Sequence, residues 1–363
     1  MKGALNSKTA SINGWAWGRS GGKKGFRKKT KEQKCVQSML NIECNLKIYD
    51  LIVSIKAHRF FLRLGDMNQH GTLGSFFPKS IWSTLSYTRL EHSLGVAALS
   101  SHVGEKLQNL TSHLHYGDPR RVNSHHTLIL ELACLLHDIG HGPLSHQFDR
   151  FVKTLQLETS ADATCYSNLA LHLPDHEERG VRIIYFLLGE CWDLRWSEAE
   201  FPGGLTRLCS QVKSLILGQK CETLPPCMWN VLHAASTHDV DIDRLEYLPR
   251  DAKMLQYGKQ HEWSCVALHL IDTLRISTSC DELLFDKASS QKLLLLRQQL
   301  HDNIYVRTLK HDPILAVSMH RFALPEHWEL LHLSSVEVVN AYMLHFSETR
   351  LLQLFEVDIL QQQ

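Results

Sequence analysis

The chain has 363 residues, 44% of them hydrophobic and 21% charged, with a formal net charge of +1. That length supports one large domain or two ordinary ones, and the balance is that of a globular protein with no whole-chain attraction to polyanions. No apolar run reaches the ~18–20 residues needed to span a bilayer, which argues against a membrane protein, and the ten cysteines, with no CxxC pair, read as reduced thiols of an intracellular protein.

Residues 1–31 hold no Asp or Glu but carry Lys2, Lys8, Arg19, Lys23, Lys24, Arg27, Lys28, Lys29 and Lys31. A segment this charged and this poor in apolar periodicity is expected to be a disordered basic tail, spanning about 1–40. It fits a nuclear import signal or nucleic-acid-touching arm, a mitochondrial presequence, and a solvated tail without an address about equally; the nucleus is weakly favoured. From residue 45 onward the pattern is helical. Gly71 to Pro78 reads as a loop or short hairpin, and His92 stands at the start of an apolar helix. Residues 110–126, polar and His-rich, read as an inserted loop. Leu128 to Leu136 is too apolar for a surface helix and is expected to be buried. His176 opens another apolar helix. The segments 181–190, 205–217, 229–236, 262–276 and 289–309 show i, i+3, i+4 apolar recurrence, and Pro225-Pro226 breaks one helix before the next. The expected fold is all-α, one helical domain over about 45–320, with short irregular or hairpin segments at most.

Chemistry concentrates where these helices end. His137-Asp138 closes the buried helix and precedes Ile139-Gly140-His141-Gly142-Pro143. Neighbouring residues on a continuous helix point about 100° apart, but a Gly- and Pro-containing turn lets both face one ion. An isolated His-Asp pair is most often a cap and a backbone acceptor. Here His92, the DxD pair Asp241 and Asp243, the group His141, His146 and Asp149, and the His176-Glu177-Glu178-Arg179 string all sit at the ends of apolar helices. Polar clusters so placed suit a metal site between packed helices. Either Asp241 or Asp243 fits the ligand role.

The order His92, His137-Asp138, Asp243 resembles the HD phosphohydrolase superfamily. The strings Arg89 to Gly95, Leu136 to His146, and Asp241 to Asp251 resemble in particular the SAM-and-HD-domain deoxynucleoside triphosphate triphosphohydrolases over about residues 50–310. The resemblance implies an HD-domain helical bundle in which His92, His137, Asp138 and Asp243 hold a divalent metal. Imidazole and carboxylate donors suit Fe, Mn, Zn or Mg. It implies His141 and His146 beside the scissile phosphate, with His176 and Asp149 as a supporting pair for proton transfer; both His146 and His176 fit the proton donor. It further implies Arg89, Arg244 and Arg297 on triphosphate oxygens, Tyr247 and Asp251 at the sugar, and Gln69, His301 and Tyr305 in the nucleoside pocket. Tyr247 as a core aromatic and Asp251 as a partner of Arg250 are the bland alternatives.

The departures concern control. Where nucleotide-activated relatives carry an Asp, a Gln and an Arg for an activating guanine, this chain has Ala57, Leu62 and Gly65; where they have Gln followed by Leu, it has Gln69-His70. No SAM domain is expected, and residues 321–363 are expected to be a truncated C-terminal helical segment. The function implied is metal-dependent hydrolysis of deoxynucleoside triphosphates to deoxynucleoside and tripolyphosphate, without a guanine-nucleotide activator site and open to homo-oligomer formation. The alternatives are an HD hydrolase of another nucleotide, or a degenerate domain that binds nucleic acid through its tail.

Overall fold

The computed structural model describes residues 47–70, 87–143, 145–146, 148–149, 175–192, 203–234, 240–259 and 261–305. The basic tail, the Gly71 to Pro78 loop and residues 321–363 lie outside them. The described part is helical apart from one small antiparallel pair, β1 (Arg275–Ile276) with β2 (Leu283–Leu284), in which Arg275 opposes Leu284. The all-α expectation holds. No described helix is long and apolar enough to cross a membrane.

The first helix, α1, runs through 47–57 and buries Ile48, Leu51, Ile52 and Ile55, one stripe at helical spacing. It leads into α2 (Arg59–Leu62), capped by the His58 side chain, and a 3-10 turn, Arg63–Asp66. Next comes α3 (Arg89–Leu110). Thr88 accepts from the Glu91 backbone N–H, while the Glu91 side chain accepts from the Thr88 backbone: a reciprocal capping box. The expected 110–126 loop is an irregular connection ending at Asn123, which caps α4 (Ser124–Leu136). In α4 the residues Ile129, Leu130, Leu132, Ala133, Cys134, Leu135 and Leu136 are all buried, so this is the central helix. Its neighbour α3 approaches closely at Gly104, where a Cβ would fall 2.3 Å from Thr127 Cγ2.

Further on, α5 (His176–Cys191), capped by Asp175, and α6 (Gly204–Ile216) pack on one another, and α6 also packs on α4. On the other side, α7 (Ile242–Met254) packs on α3 and on α8 (Glu262–Asp272), and α9 (Lys287–Leu300) packs on α7 and α8 before widening into a π-helical turn, His301–Tyr305.

Three expected helices need correction. The stretch 229–236 is not a helix over its described part, 229–234; a 3-10 turn, Pro226–Met228, leads into irregular chain. Its polar backbone is spent sideways: Val231 O accepts from Ile242 N at 3.0 Å, and Ala234 N donates to Asp241 Oδ2 at 3.0 Å. Its apolar Val231 and Leu232 are buried all the same, so the periodicity reports burial without helicity. The expected 262–276 helix stops at Asp272, and 275–276 pair as a strand instead. The expected 289–309 helix starts at Lys287 and is α-helical only to Leu300.

Candidate metal and hydrolytic site

The site lies where α3, the end of α4, the start of α5 and the start of α7 meet. His92 is the fourth residue of α3, so the Thr88 cap that starts the helix also sets the ring in place. Helix α4 ends at Leu136. His137 is its C-cap, and the turn that follows brings Asp138 to the same side as His137. Asp243 is the second residue of α7, whose cap is Asp241.

His92, His137 and Asp243 converge, and Asp138 stands beside them with one oxygen toward each histidine. His92 Nε2 lies 2.9 Å from Asp243 Oδ1, 3.3 Å from His137 Nε2 and 3.6 Å from Asp138 Oδ2. His137 Nε2 lies 3.5 Å from Asp138 Oδ1 and 3.7 Å from Asp243 Oδ1. Ligands at right angles on a metal with bonds of about 2.1 Å stand about 3 Å apart, so the spacing is close to that of a coordination shell. Both imidazoles are also oriented for it. His137 Nδ1 donates to Cys134 O at 2.7 Å, and His92 Nδ1 donates to Glu246 Oε2 at 2.6 Å, leaving each Nε2 to face the carboxylates. A metal ion therefore fits this donor set. Burial acts to lower the His92 pKa, but hydrogen bonds and charge from Asp243 and Glu246 outweigh it and push it up to about 10; a bound cation would take the place of that proton.

Of the DxD pair, only Asp243 reaches the histidines. Asp241 is spent as a cap, with Oδ1 accepting from Arg244 N at 2.7 Å and Oδ2 from Ala234 N. Arg244 Nη1 lies 3.2 Å from Asp241 Oδ2.

Beside this tetrad stands a second cluster: His141, His146, Asp149 and His176. The His141 and His176 rings stack at 4.0 Å, and His146 lies edge-on to both. His176 Nδ1 is 2.9 Å from Asp149 Oδ2, and Arg179 donates to Asp149 Oδ1. Burial opposes the charge on Asp149, but His176 and Arg179 hold its carboxyl well below the usual carboxylate range. His141 is fully buried; its Nε2 is 3.2 Å from Asp138 Oδ1, while its Nδ1 has no hydrogen-bond partner among the described residues, and burial is the main force lowering its pKa. Buried polar atoms without partners mark a place where a ligand or water belongs. Gly140 makes the cluster's geometry possible: a Cβ there would sit 1.9 Å from His176 O and 2.4 Å from Gly180 N, so only glycine lets the turn press on the start of α5.

The remaining expected residues form an arc around these two clusters. Arg89 is 2% exposed; it donates to Asp138 Oδ2 at 2.7 Å, to Ser145 Oγ at 3.1 Å and to Gln69 O at 3.2 Å. Its guanidinium thus holds the Asp138 carboxylate, a candidate metal ligand, and is the leading charge that keeps it ionised against the cost of burial. Ser145, with φ 55, is held in the left-handed region by that bond and by its own bond to Asn68 O. Tyr247 hydrogen-bonds Arg297 and lies edge-on to His92. Tyr305 and Asp251 are joined, Oη to Oδ2, at 2.5 Å. Arg250 pairs with Glu246, so Asp251 is not its partner. His301 is exposed and faces Asp302, away from the group.

Sequence reasoning missed Glu246, Tyr87 and His70. Glu246 follows Asp243 by three positions, hence on the same helix face, which was the available signal. Tyr87 and His70 reach Asp251 from distant parts of the chain, and no spacing rule shows that.

Residues 89–198 match the HD domain family. A deoxynucleoside triphosphate triphosphohydrolase SAMHD1 homolog from Dictyostelium discoideum is 24% identical over 218 residues, 59% of this chain and 35% of that protein. The deoxynucleoside triphosphate triphosphohydrolase SAMHD1 of Danio rerio is 30% identical over 215 residues, 58% of this chain and 32% of its own length. The chain thus spans about a third of these relatives. A solved phosphohydrolase from Bacteroides thetaiotaomicron shares the fold at TM-score 0.55 and 18% identity, over 84% of this chain and 68% of its own. The converging His and Asp side chains, the adjoining histidine cluster and these likenesses agree: residues 89–198 match the HD domain, and the chain is similar to the SAM-and-HD-domain triphosphohydrolases over part of their length.

Proposed function

We propose that this chain hydrolyses deoxynucleoside triphosphates to deoxynucleoside and tripolyphosphate, using a divalent metal on His92, His137, Asp138 and Asp243. The observation that supports the reading is the convergence of His92, His137 and Asp243, with Asp138 beside both histidines, next to the buried His141. A divalent metal held there would supply a Lewis acid for water and for a phosphoryl oxygen. The rest of the chemistry belongs to this chain's own side chains. His141 offers ring nitrogens to a phosphoryl oxygen. Of the two candidates for proton donor to the leaving oxygen, His176 is oriented by Asp149, whereas burial pushes the His146 pKa down to about 3, which favours His176. Arg297, hydrogen-bonded to Tyr247, balances the charge of the triphosphate as Arg244 does from the start of α7. Arg89 acts one step back, by fixing Asp138.

Control by a guanine nucleotide is not part of the proposal. Ala57 and Leu62 are exposed at the ends of α1 and α2, Gly65 follows on the 3-10 turn, and none carries a polar side chain to read a base. Turnover is therefore expected without added GTP, and strict dependence on GTP would refute this part. The test of the whole is metal analysis of the purified protein with a panel of deoxynucleoside triphosphates. Tripolyphosphate release that stops in Asp138→Ala supports the reading. Release of monophosphate and pyrophosphate, or no turnover of any triphosphate, overturns it.

A further inference from the structure

The irregular chain after the 3-10 turn carries a side chain that the proposed hydrolysis leaves unused. His233 follows the buried Val231 and Leu232 and is itself partly buried. The backbone is pinned on both sides of it. Val231 O accepts from Ile242 N at 3.0 Å, and Ala234 N donates to Asp241 Oδ2 at 3.0 Å. Both bonds are made to residues that start α7, so His233 is held in register with Asp243, which follows them directly.

The ring lies beside the candidate metal ligands. Its centroid is 6.0 Å from that of His137, with the planes tilted by 59°, while His137 has His92 at 5.2 Å. The charges that reach His233 belong to both clusters: Asp243, His137 and Asp138 of the first, and His176 of the second. Yet no hydrogen bond or ion pair joins the ring to a described residue. His233 also stands outside the set His92, His137 and Asp243, whose ligand atoms lie within 4.8 Å of one another. An imidazole so placed meets what an ion at that set would hold, rather than the ion. Burial favours its neutral form, which carries one N–H donor and one acceptor. A partly buried polar ring without a partner is costly, and its remaining exposure lets a ligand supply one.

We propose that His233 is a further catalytic residue, which donates a hydrogen bond to a non-bridging oxygen of the phosphoryl group under attack. The proposal rests on the hydrolysis reading above. Negative charge builds on the non-bridging oxygens as the phosphorus is attacked, so an N–H held at one of them stabilises the transition state more than the bound substrate. No proton passes through His233, which keeps its N–H throughout. The pinned backbone supplies the fixed direction that such a donor needs, because Val231 and Ala234 tie it to the helix that carries Asp243.

The experiment compares the wild type with His233→Phe, His233→Asn and His233→Gln. Phe keeps a ring beside His137 and removes the nitrogens; Asn and Gln keep an N–H near the places of Nδ1 and Nε2. The readouts are kcat and KM for a deoxynucleoside triphosphate, and bound metal per chain. A hydrogen bond to a charged group is worth on the order of 10- to 100-fold, so His233→Phe is expected to lose about that factor in kcat/KM. The loss is expected in kcat more than in KM, at unchanged metal content, and Asn or Gln is expected to recover part of it. Thermal melting shows which variants fold, and where His233→Phe does not, His233→Ala takes its place. A folded His233→Phe with wild-type kcat/KM overturns the proposal. Metal lost along with activity overturns it too, because His233 would then serve the metal, and so does an Asn and Gln pair that recovers nothing. These three outcomes leave the hydrolysis reading intact. A wild type that cleaves no nucleoside triphosphate overturns the reading and this inference together.

Discussion

Glu246 shows how much of this site lies behind the ligands. Its Oε2 accepts from His92 Nδ1 and its Oε1 accepts from the Arg250 guanidinium, so one carboxylate ties a candidate ligand histidine to the next turn of α7. It fits there because residue 95 is glycine: a Cβ at Gly95 would sit 2.4 Å from Oε1. Glu246→Gln is expected to weaken metal binding by about 10- to 100-fold, the usual effect of losing such a partner. Gly95→Ala, which touches no ligand, is expected to move metal affinity the same way by displacing Glu246. Metal titration of both variants checks this, and two wild-type affinities would sink it. Asp149→Asn tests the other cluster. It removes the charge that orients His176 while leaving the tetrad, so turnover is expected to fall by on the order of 10²–10⁴ at unchanged metal content. Loss of metal along with activity would show that Asp149 serves the metal instead. That His137 and Asp138 would sit in a polar cluster was legible in the sequence, because His-Asp at the end of an apolar helix is costly without a partner. The places of Glu246 and His70 were not, since their contacts with His92 and Asp251 come from 154 and 181 residues away.

At the scale of elements, helix starts do the positioning. Thr88 and Asp175 start α3 and α5 and thereby place His92 and His176; Asp241 starts α7 and places Asp243. Thr88→Ala is expected to cost ~1 kcal/mol, visible as a small fall in melting temperature. Gly140→Ala is expected to cost considerably more and to lower activity as well, because the added methyl meets backbone at His176 and Gly180 rather than a side chain that can swing away. Paired thermal melts and assays read both. Equal, minor shifts would mean that the turn and α5 can separate without consequence. The segment 229–234 belongs to this scale too. Its apolar spacing suited a helix, but its backbone bonds to Ile242 and Asp241 took the groups that a helix needs.

Across the whole molecule, buried carboxylates link stability to pH. Asp149 and Asp251 are both held below the usual carboxylate range: burial works against this, but His176 and Arg179 around the first, and His70, Tyr305 and Tyr87 around the second, prevail. The folded state therefore binds fewer protons than the unfolded chain in acid. Their contribution is complete above the unfolded value of about 4 and is lost as pH falls through the lower folded values. Melting temperature is expected to drop steeply below about pH 4, and less steeply in Asp251→Asn; the same slope in both would count against a coupled Asp251. Metal binding stabilises by mass action, so a chelator is expected to lower the melting temperature of metal-loaded protein and leave Asp138→Ala unmoved.

By itself the sequence determined the helical class, the buried character of α4, and the gathering of His and Asp side chains at its end. These follow from local periodicity and from the cost of placing His and Asp beside a core. Only the tertiary structure decided that Asp243 rather than Asp241 faces the histidines, that Arg89 is spent on Asp138, and that Asp251 lies closed beneath His70. The reason is physical: direction and occupancy of a polar side chain depend on which groups other helices bring to it, and adjacent residues in a chain carry no record of that.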